Sequence, residues 1–407
     1  MVVIGAGLAG LAAGATAARA GAPVVVLEAH APGGRARTDI RDGFRFNQGP
    51  HALFRGGPGR RVLARLGIRA IGHSPPLKGS RALIAGHPHS FLSRRTLGCR
   101  SKAQVGRAIT RLALIDAAKW AGWSAQEWID ALELRPDAAM LMQSFVRVTT
   151  YAADLGRLPA ALAITQMRTA LKGGVAYLDG GWDQLTSGLL ASAAAAGARL
   201  HPHAPVQQIS GGPGAWEVHT TAEVIRAAAV VVAAGRPAAA GRLLPVEPGW
   251  GEMGPEVTAA CLDLGLRRPG PRLVFGIDQP LYLSPHSPPG NLAPSGCGLV
   301  HLMRYGARTS AEDRQQLWEL ATAAGISDTD VVVQRFLPHM VVVNCLPPPE
   351  RGLAGRPPVS IPGAPGVFIA GDWVGPQGWL SDGSLVSGEQ AGRLAAEAAH
   401  ERSRSCG

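Results

Sequence analysis

The chain has 407 residues, 46% hydrophobic and 17% charged, a globular composition with room for two or three domains. Its net charge of +11 comes mainly from arginines that form no continuous basic run, which argues against nucleic acid as a partner. The five cysteines never fall in C-x-x-C spacing, which predicts neither a zinc site nor a disulfide framework and favours a reducing, cytoplasmic compartment.

The first forty residues predict a βαβ unit that binds a dinucleotide. A short apolar strand, Val2 to Ile4, leads into the glycine-rich segment GAGLAG, an alanine-rich helix and a second strand that ends at Glu28. Gly5 permits the tight turn, Gly7 lets a pyrophosphate approach the backbone, and Gly10 lets the helix pack on the strand. The helix N-terminus offers N–H donors to phosphate, and Glu28 stands where an acid accepts ribose hydroxyls.

The next segment, APGGRART (residues 31–38), separates FAD from NAD. With the fingerprint before it, the chain resembles the FAD-dependent amine oxidase and phytoene desaturase superfamily, whose members carry GGR-x-x-[ST] at this place. The resemblance implies that Gly33 and Gly34 let the loop pass close to FAD, and that Arg35 and Arg37 help to neutralise its diphosphate. The cofactor implied is FAD, and no metal is expected.

The segment FRFNQGPHALF (residues 44–54) resembles the superfamily's passage beside the isoalloxazine ring. The resemblance implies that Gly49 and Pro50 bring backbone near the ring and that His51 lies close to it. A lone histidine is usually structural, so a chemical role for His51 is the weaker of two alternatives.

The middle of the chain is predicted to form the substrate domain. Residues 102–171 are predicted to be mainly helical, with a capping box at Ser124 and Glu127, and residues 258–343 to be mainly strands, with a helix opened by Ser310. YLDGGWDQL (residues 177–185) resembles the G-G-x-x-x-L segment that returns the chain to the FAD domain, and the same resemblance places the Val206 backbone at the adenine. The histidines of the later strands have no metal-ligand spacing.

A late segment, VFIAGDWVGPQGWLSDGSL (residues 367–385), is predicted to complete the cofactor site. The resemblance makes Gly371 and Asp372 a second FAD-binding dipeptide, with the aspartate on the ribityl or pyrophosphate region. The helix after it would direct its N-terminal dipole at the flavin, with the backbone of Ser384 and Leu385 as donors. Trp379 could form an aromatic wall at the ring.

These features predict an α/β fold: a discontinuous, Rossmann-like FAD-binding domain of the glutathione-reductase type with an inserted α+β substrate domain. The FAD-binding domain would comprise residues 1–75, 175–250 and 350–400, the substrate domain residues 76–174 and 251–349, and residues 401–407 a disordered tail. No apolar run reaches the roughly 18–20 residues of a membrane-spanning helix. Peripheral contact with a membrane and the oligomeric state stay open.

Three functions follow from the resemblance. The first is an FAD-dependent oxidoreductase that abstracts hydride from an apolar small molecule, as on the phytoene desaturase and hydroxysqualene dehydroxylase side of the superfamily. The second is an amine oxidase, disfavoured because no lysine follows Lys172 and Leu380 stands where a cage tyrosine is expected. The third is a non-redox isomerase or cyclase. No second GxGxxG motif is present, so electrons would leave to oxygen, a quinone or another acceptor, or return to the substrate.

Overall fold

The computed structural model describes residues 1–91, 93–250 and 253–405. Within these ranges the helices are α1 Leu8–Arg19, α2 Pro58–Arg65, α3 Cys99–Leu112, α4 Ala125–Asp130, α5 Pro136–Thr150, α6 Ala160–Gly173, α7 Asp183–Ala195, α8 Pro237–Leu243, α9 Ser310–Ala323 and α10 Ser381–Ser405. The strands are β1 Val2–Ile4, β2 Val25–Leu27, β3 Thr38–Arg41, β4 Phe44–Asn47, β5 Leu53–Phe54, β6 Gly72–His73, β7 Arg81–Ile84, β8 His87–Ser90, β9 Val175–Leu178, β10 Arg199–His201, β11 Val206–Gly212, β12 Ala215–Thr220, β13 Val224–Ala227, β14 Val230–Val232, β15 Val257–Leu266, β16 Val274–Gly276, β17 Leu281–Ser287, β18 Gly298–Tyr305, β19 Val331–Val343 and β20 Val367–Ile369.

A five-stranded parallel sheet, in the order β10-β2-β1-β14-β20, forms the nucleotide-binding half of the fold. Four of its five strands are almost fully buried, as expected of a parallel sheet covered on both faces, whereas the edge strand β10 is largely exposed. The last strand comes more than 130 residues after its neighbour, because five of the seven strands of the second sheet, β15 to β19, are inserted between them. The mixed α/β architecture with a Rossmann-like half is therefore confirmed.

Helices α1 and α10 cover one face of the parallel sheet, and two glycines let them approach closely. A Cβ atom on Gly388 would lie 2.2 Å from the carbonyl oxygen of Ala9, and one on Gly392 would lie 2.3 Å from that of Ala13. The small residues of the last helix therefore serve backbone-to-backbone packing against α1.

A seven-stranded sheet, in the order β19-β15-β18-β17-β16-β7-β8, forms the other half. Its neighbours pair antiparallel except β16 and β7. Helices α3 to α6 share a hydrophobic core with part of this sheet, including Trp128, Met167 and Met303. The domain boundaries given above stay a prediction.

Several local predictions can be compared with the structure. The capping box is confirmed, since the Ser124 hydroxyl accepts the N–H of Glu127, whose carboxylate accepts the N–H of Ser124. Helix α9 is capped one residue earlier than predicted, by Thr309. Residues 401–405 of the predicted tail continue α10, and residues 406–407 lie outside the described residues. None of the described helices combines the length and hydropathy needed to cross a bilayer.

Candidate functional site

The glycine-rich turn between β1 and α1 forms one end of a long cleft. Gly5 has a φ of +101°, and a Cβ atom on Gly10 would lie 1.9 Å from the Gly5 carbonyl oxygen, so both positions exclude larger residues. A Cβ atom on Gly7 would meet nothing within 4 Å, and Gly7 lines the cleft. The first helical bond runs from Leu11 N–H to Gly7 C=O, which leaves the preceding N–H groups without a partner inside the helix.

Glu28 stands at the end of β2 and lines the same cleft. Its carboxylate accepts the N–H of Ala6 at 2.7 Å and the N–H of His30 at 2.8 Å. These bonds fix the carboxylate beside the glycine-rich turn, where further lone pairs remain for ribose hydroxyls. Val206, at the start of β11, lines the cleft nearby.

The GGR segment also lies in the cleft wall. Gly33 and Gly34 have φ angles of +109° and +51°, which favour glycine. Arg35 donates to the carbonyl oxygens of Val341 and Val342 and forms an ion pair of 2.9 Å with Asp372. Arg37 lines the cleft and pairs with Asp39 at 3.3 Å.

The Asp372 carboxylate has several hydrogen-bond partners that the sequence did not predict. Besides Arg35, it accepts the backbone N–H of Asn344 at 3.1 Å and its side-chain amide at 2.7 Å. The carboxylate therefore joins the GGR segment to β20 and the end of β19, and Asp372 and Gly371 both line the cleft. Asn344 was missed in the sequence, because nothing local marks it as a partner of Asp372.

Buried Arg356 holds the loop that follows Asp372. It donates to the carbonyl oxygens of Asp372 at 2.7 Å and Gly378 at 2.9 Å, and it lies 5.4 Å from the centre of the Trp379 ring. Burial, opposed by the nearby Asp372 carboxylate, lowers the pKa of Arg356 to about 10. This arginine also went unnoticed in the sequence, where it stands in an irregular segment.

The expectation that Trp379 forms a wall at the reactive ring is wrong. Trp379 is 1% exposed, donates its indole N–H to Thr150 C=O at 2.8 Å and packs in the core of the helical layer. It is not among the residues that line the cleft, whereas Leu380 is. Leu380 rather than Trp379 lines the cleft because the backbone turns here, with a φ of +56° at Leu380 just before α10.

The structure gives the expected donors of α10 different surroundings. Ser384 lines the cleft, but its N–H bonds to Leu380 C=O at 3.5 Å, and Leu385 is buried outside the cleft wall. Among the described backbone hydrogen bonds, none uses the N–H of Ser381 or of Gly383. Of these two residues, Ser381 lines the cleft, and its N–H is therefore the candidate donor at the start of α10.

Pro50 and His51 belong to the cleft wall, whereas Gly49 stands behind it. Gly49 has a φ of +98°, and a Cβ atom there would lie 2.3 Å from the sulfur of Met340. The Nδ1 atom of His51 lies 3.1 Å from Gly49 C=O, and its ring meets Trp182 edge-on at 4.8 Å. Burial lowers the pKa of His51 to about 4, so the ring is neutral at physiological pH. The bond to Gly49 then places the proton on Nδ1 and leaves Nε2 as an acceptor.

The cleft encloses about 840 Å³, within the range of about 300–1,000 Å³ for small-molecule sites. It extends from the Gly7 turn to a group of mainly apolar and aromatic residues: His51, Tyr151, Trp182, Leu337, Met340 and Leu380. A dinucleotide fits this arrangement, because the glycine-rich cradle, free helix N–H groups and ribose-side carboxylate occupy one end. Glu28 and Asp372 are the acidic residues that line the described cleft, and both already accept hydrogen bonds.

A buried polar network lies across the inserted sheet behind His51. Asp263 and His301 stand opposite each other on β15 and β18, with His301 Nδ1 at 2.5 Å from the carboxylate. The guanidinium of Arg335 binds the other carboxylate oxygen at 2.6 and 2.9 Å. Burial alone would raise the pKa of Asp263, but His301 and Arg335 more than offset it and hold that pKa below its usual value.

The same network contains the group of side chains that could hold a metal ion in the described residues: Cys261, Asp263 and His301. The Cys261 thiol donates to Asp263 at 3.0 Å, and burial raises the pKa of this thiol well above its usual value. A cation here would have to displace a proton from the thiol and compete with the guanidinium of Arg335. The donor set therefore fits an internal ion-pair network better than a metal centre.

The chain is similar to a known protein family and to several solved structures. A family model described as flavin-containing amine oxidoreductase matches residues 8–266. Among solved structures, an oxidoreductase from Methanosarcina mazei has a TM-score of 0.77 at 19% identity, covering 96% of this chain and 98% of that one. Putrescine oxidase bound to putrescine has a TM-score of 0.73 at 17% identity, covering 96% and 97%. A CLA-producing fatty acid isomerase from P. acnes has a TM-score of 0.71 at 15% identity, covering 96% of each chain. No curated protein matches the sequence.

Proposed function

The chain belongs to the family of flavin-containing amine oxidoreductases, and we propose that, as an FAD-dependent oxidoreductase, it oxidises an uncharged, largely apolar small molecule at a C–C bond. The observation that carries this proposal is the far end of the cleft. Apolar and aromatic side chains dominate there, and no described carboxylate or lysine lines that end. Such a wall favours an apolar substrate and offers an ammonium group no carboxylate to pair with.

The residues of the chain would bind the cofactor and exclude water from the reacting atoms. FAD, when bound, supplies the hydride acceptor. The Gly7 turn and the free N–H groups of α1 would hold its phosphates, Glu28 a ribose, and the first turn of α10 the end towards Leu380. Removing two hydrogens from a C–C bond also releases a proton, and Nε2 of His51 is the candidate to accept it, since this ring is neutral above about pH 4.

Oxidation of an amine is the second candidate, favoured by the family and by the likeness to putrescine oxidase. Against it stand the absence of any lysine after Lys172 and the presence of Leu380 in the cleft wall. Non-redox isomerisation is the third candidate, and the likeness to a fatty acid isomerase favours it. As no second GxGxxG motif occurs in the sequence, we infer that oxygen, a quinone or another acceptor reoxidises the flavin.

Anaerobic titration of the FAD-loaded protein separates these candidates. Bleaching of the oxidised flavin band by isoprenoid polyenes or other unsaturated hydrocarbons, but not by primary or secondary amines, is the expected result. Reduction by an amine alone would contradict C–C oxidation. Conversion of an unsaturated substrate to a positional isomer without net flavin reduction would favour the third candidate. Reduction by dithionite is the control that the bound flavin is redox-active in each sample.

A cytoplasmic location is part of the same proposal. Four cysteines, Cys99, Cys261, Cys297 and Cys345, are free in the described residues, which is compatible with a reducing compartment. Alkylation of the protein extracted from cells under denaturing conditions tests this. Full labelling of every cysteine is expected, and a cross-linked pair would contradict it.

A further inference from the structure

One side of the inserted helical layer combines unpaired arginines with exposed apolar side chains. Residues 94–123 contain seven lysines and arginines and one acidic residue, so this short segment carries six of the eleven excess positive charges. The other 377 residues carry the remaining five. The segment therefore differs from the scattered arginines elsewhere, an asymmetry that the whole-chain composition conceals.

The periodicity of α3 aligns its charges along one face. Arg100, Arg107 and Arg111 are all exposed and follow one another at spacings of seven and four residues, which places them on one side of a helix. Val105, Ala108 and Leu112 lie about 110° around the helix from this face and are buried. None of the three arginines forms a hydrogen bond or an ion pair with a described residue, so their charges are not neutralised within the fold.

Exposed apolar side chains follow α3 along the chain and at the neighbouring end of α6. Leu114 is 86% exposed, the highest value among the large exposed hydrophobic residues described, and Trp123 is 45% exposed. Leu171, 56% exposed, lies one turn beyond Arg168 on α6. The guanidinium of Arg168 donates to the carbonyl oxygen of Ile115 at 2.7 Å, which brings the end of α6 beside Leu114. We call Arg100, Arg107, Arg111, Leu114, Trp123 and Leu171 together the α3 surface.

We propose that the α3 surface docks the protein onto an anionic lipid bilayer. Arginines at a bilayer surface attract acidic headgroups, and neighbouring leucine and tryptophan side chains insert at the boundary between headgroups and acyl chains. Nucleic acid would neutralise the arginines but would leave the side chains of Leu114 and Leu171 exposed to water. The combination of unpaired arginines with highly exposed apolar side chains therefore favours a bilayer over nucleic acid.

The position of this surface suits delivery of an apolar molecule. Helix α3 shares its core with α5, and Tyr151, the residue directly after α5, lines the cleft. Docking would therefore place the helical layer between the bilayer and the reactive end of the cleft. The proposal does not depend on the substrate, because binding to vesicles is measured without turnover.

Co-sedimentation of the FAD-loaded protein with two kinds of vesicle tests the proposal. Binding to phosphatidylcholine vesicles that contain phosphatidylglycerol, and much weaker binding to phosphatidylcholine alone, is expected. Binding to the anionic vesicles should weaken by about fivefold per arginine removed, and so by on the order of 100-fold in Arg100→Gln/Arg107→Gln/Arg111→Gln. Leu114→Ser should weaken it by about tenfold, because it removes the apolar side chain that inserts between the headgroups.

The β3–β4 hairpin provides a matched control, because Ile40, Arg41 and Arg45 are exposed there. Ile40→Ser and Arg41→Gln/Arg45→Gln should leave vesicle binding unchanged. Flavin absorbance and thermal unfolding show that each variant is folded and loaded. Absence of binding to anionic vesicles, or equal losses in the control and α3 variants, would overturn the proposal. So would tighter binding to single-stranded DNA than to vesicles, unaffected by Leu114→Ser.

Discussion

Arg335 offers the sharpest test of how the two halves of the protein are joined. Its guanidinium donates twice to Asp263 and once to Asp39 at 3.0 Å, and it also contacts the carbonyl oxygen of Asn47. Asp263 belongs to the inserted sheet, whereas Asp39 and Asn47 belong to the β3–β4 hairpin. Arg335→Met keeps much of the aliphatic stem while it removes the charge and every one of these bonds.

The burial of the partners sets the size of the effect. Asp263 is 0% exposed and the Arg335 side chain 4%, so the variant leaves a buried carboxylate with hydrogen bonds to Cys261 and His301 but without its guanidinium partner. Breaking a buried pair by removing one partner costs about 3–5 kcal/mol. Asp39 is 31% exposed, and its bond adds at most about 1 kcal/mol. We therefore expect a loss of about 3–5 kcal/mol in the free energy of unfolding.

Urea unfolding of the FAD-saturated protein, followed by circular dichroism, measures this loss. The matched control is Arg268→Met, which breaks an ion pair with Asp330 at a site where the arginine is 75% exposed, and it should cost far less because solvent screens this pair. Adding Asp263→Asn to Arg335→Met should recover part of the stability, because it removes the uncompensated charge.

The pH dependence supplies an independent check. In the native protein the pKa of Asp263 is held below its usual value, so the stability contributed by the ionised carboxylate is present above about pH 4 and is lost as pH falls through the folded pKa. Without Arg335, burial should raise this pKa, and Asp263 should protonate already at mildly acidic pH. The difference between native and variant protein should therefore shrink from pH 7 towards pH 4. Equal losses in Arg335→Met and Arg268→Met, or a difference independent of pH and not reduced by Asp263→Asn, would refute the reasoning.

Further predictions concern the cleft and the last helix. Gly7→Val should leave the apoprotein about as stable as the native one but abolish FAD retention, since its side chain meets only the cleft. Gly10→Val should instead destabilise the apoprotein itself by colliding with Gly5. Apoprotein melting and flavin absorbance after reconstitution distinguish the two. Burial raises the pKa of Asp382 to about 7, so its contribution to stability is full below about pH 4 and is lost as pH rises towards 7. The stability of Asp382→Asn relative to the native protein should therefore increase from about pH 4 to about pH 7. A difference that does not change with pH would contradict the raised pKa. Trp379→Phe should cost about 1 kcal/mol of stability through the lost hydrogen bond to Thr150, and the dependence of flavin reduction on substrate concentration should stay unchanged. A large change in that dependence would show that Trp379 contacts the substrate.

The cofactor half of the fold could be predicted from local patterns because its constraints are local. Gly5 and Gly10 each exclude a side chain for a reason visible within one βαβ unit, and the second half of the site followed from a short buried strand that ends in Gly371 and Asp372. The direction of Trp379 could not be predicted in this way, because it depends on the positive φ of Leu380 and on a carbonyl acceptor more than 200 residues away.

The ion pairs were equally out of reach of sequence patterns. Arg35 has the sequence context of a phosphate ligand in the GGR segment, but its partner Asp372 lies 337 residues later. Arg335 and Asp263 stand in strands, where a charged residue usually marks the solvent face. Pairing across the sheet reverses that expectation, since a buried charge is tolerated when a partner of opposite charge satisfies it. Such pairing depends on the register between β15, β18 and β19.

Two arginines consequently fix the cleft from opposite directions. Arg35 extends from the cofactor half to the carbonyl groups of Val341 and Val342 on β19, and Arg335 extends from β19 back to the β3–β4 hairpin. Because each arginine binds both halves, a shift of β19 would break charge-assisted bonds at both places. Leu337 and Met340 lie on the same strand between these contacts and line the reactive end of the cleft. The apolar wall is thus positioned by ionic contacts outside it, and the cleft can remain dry without depending on polar groups inside it.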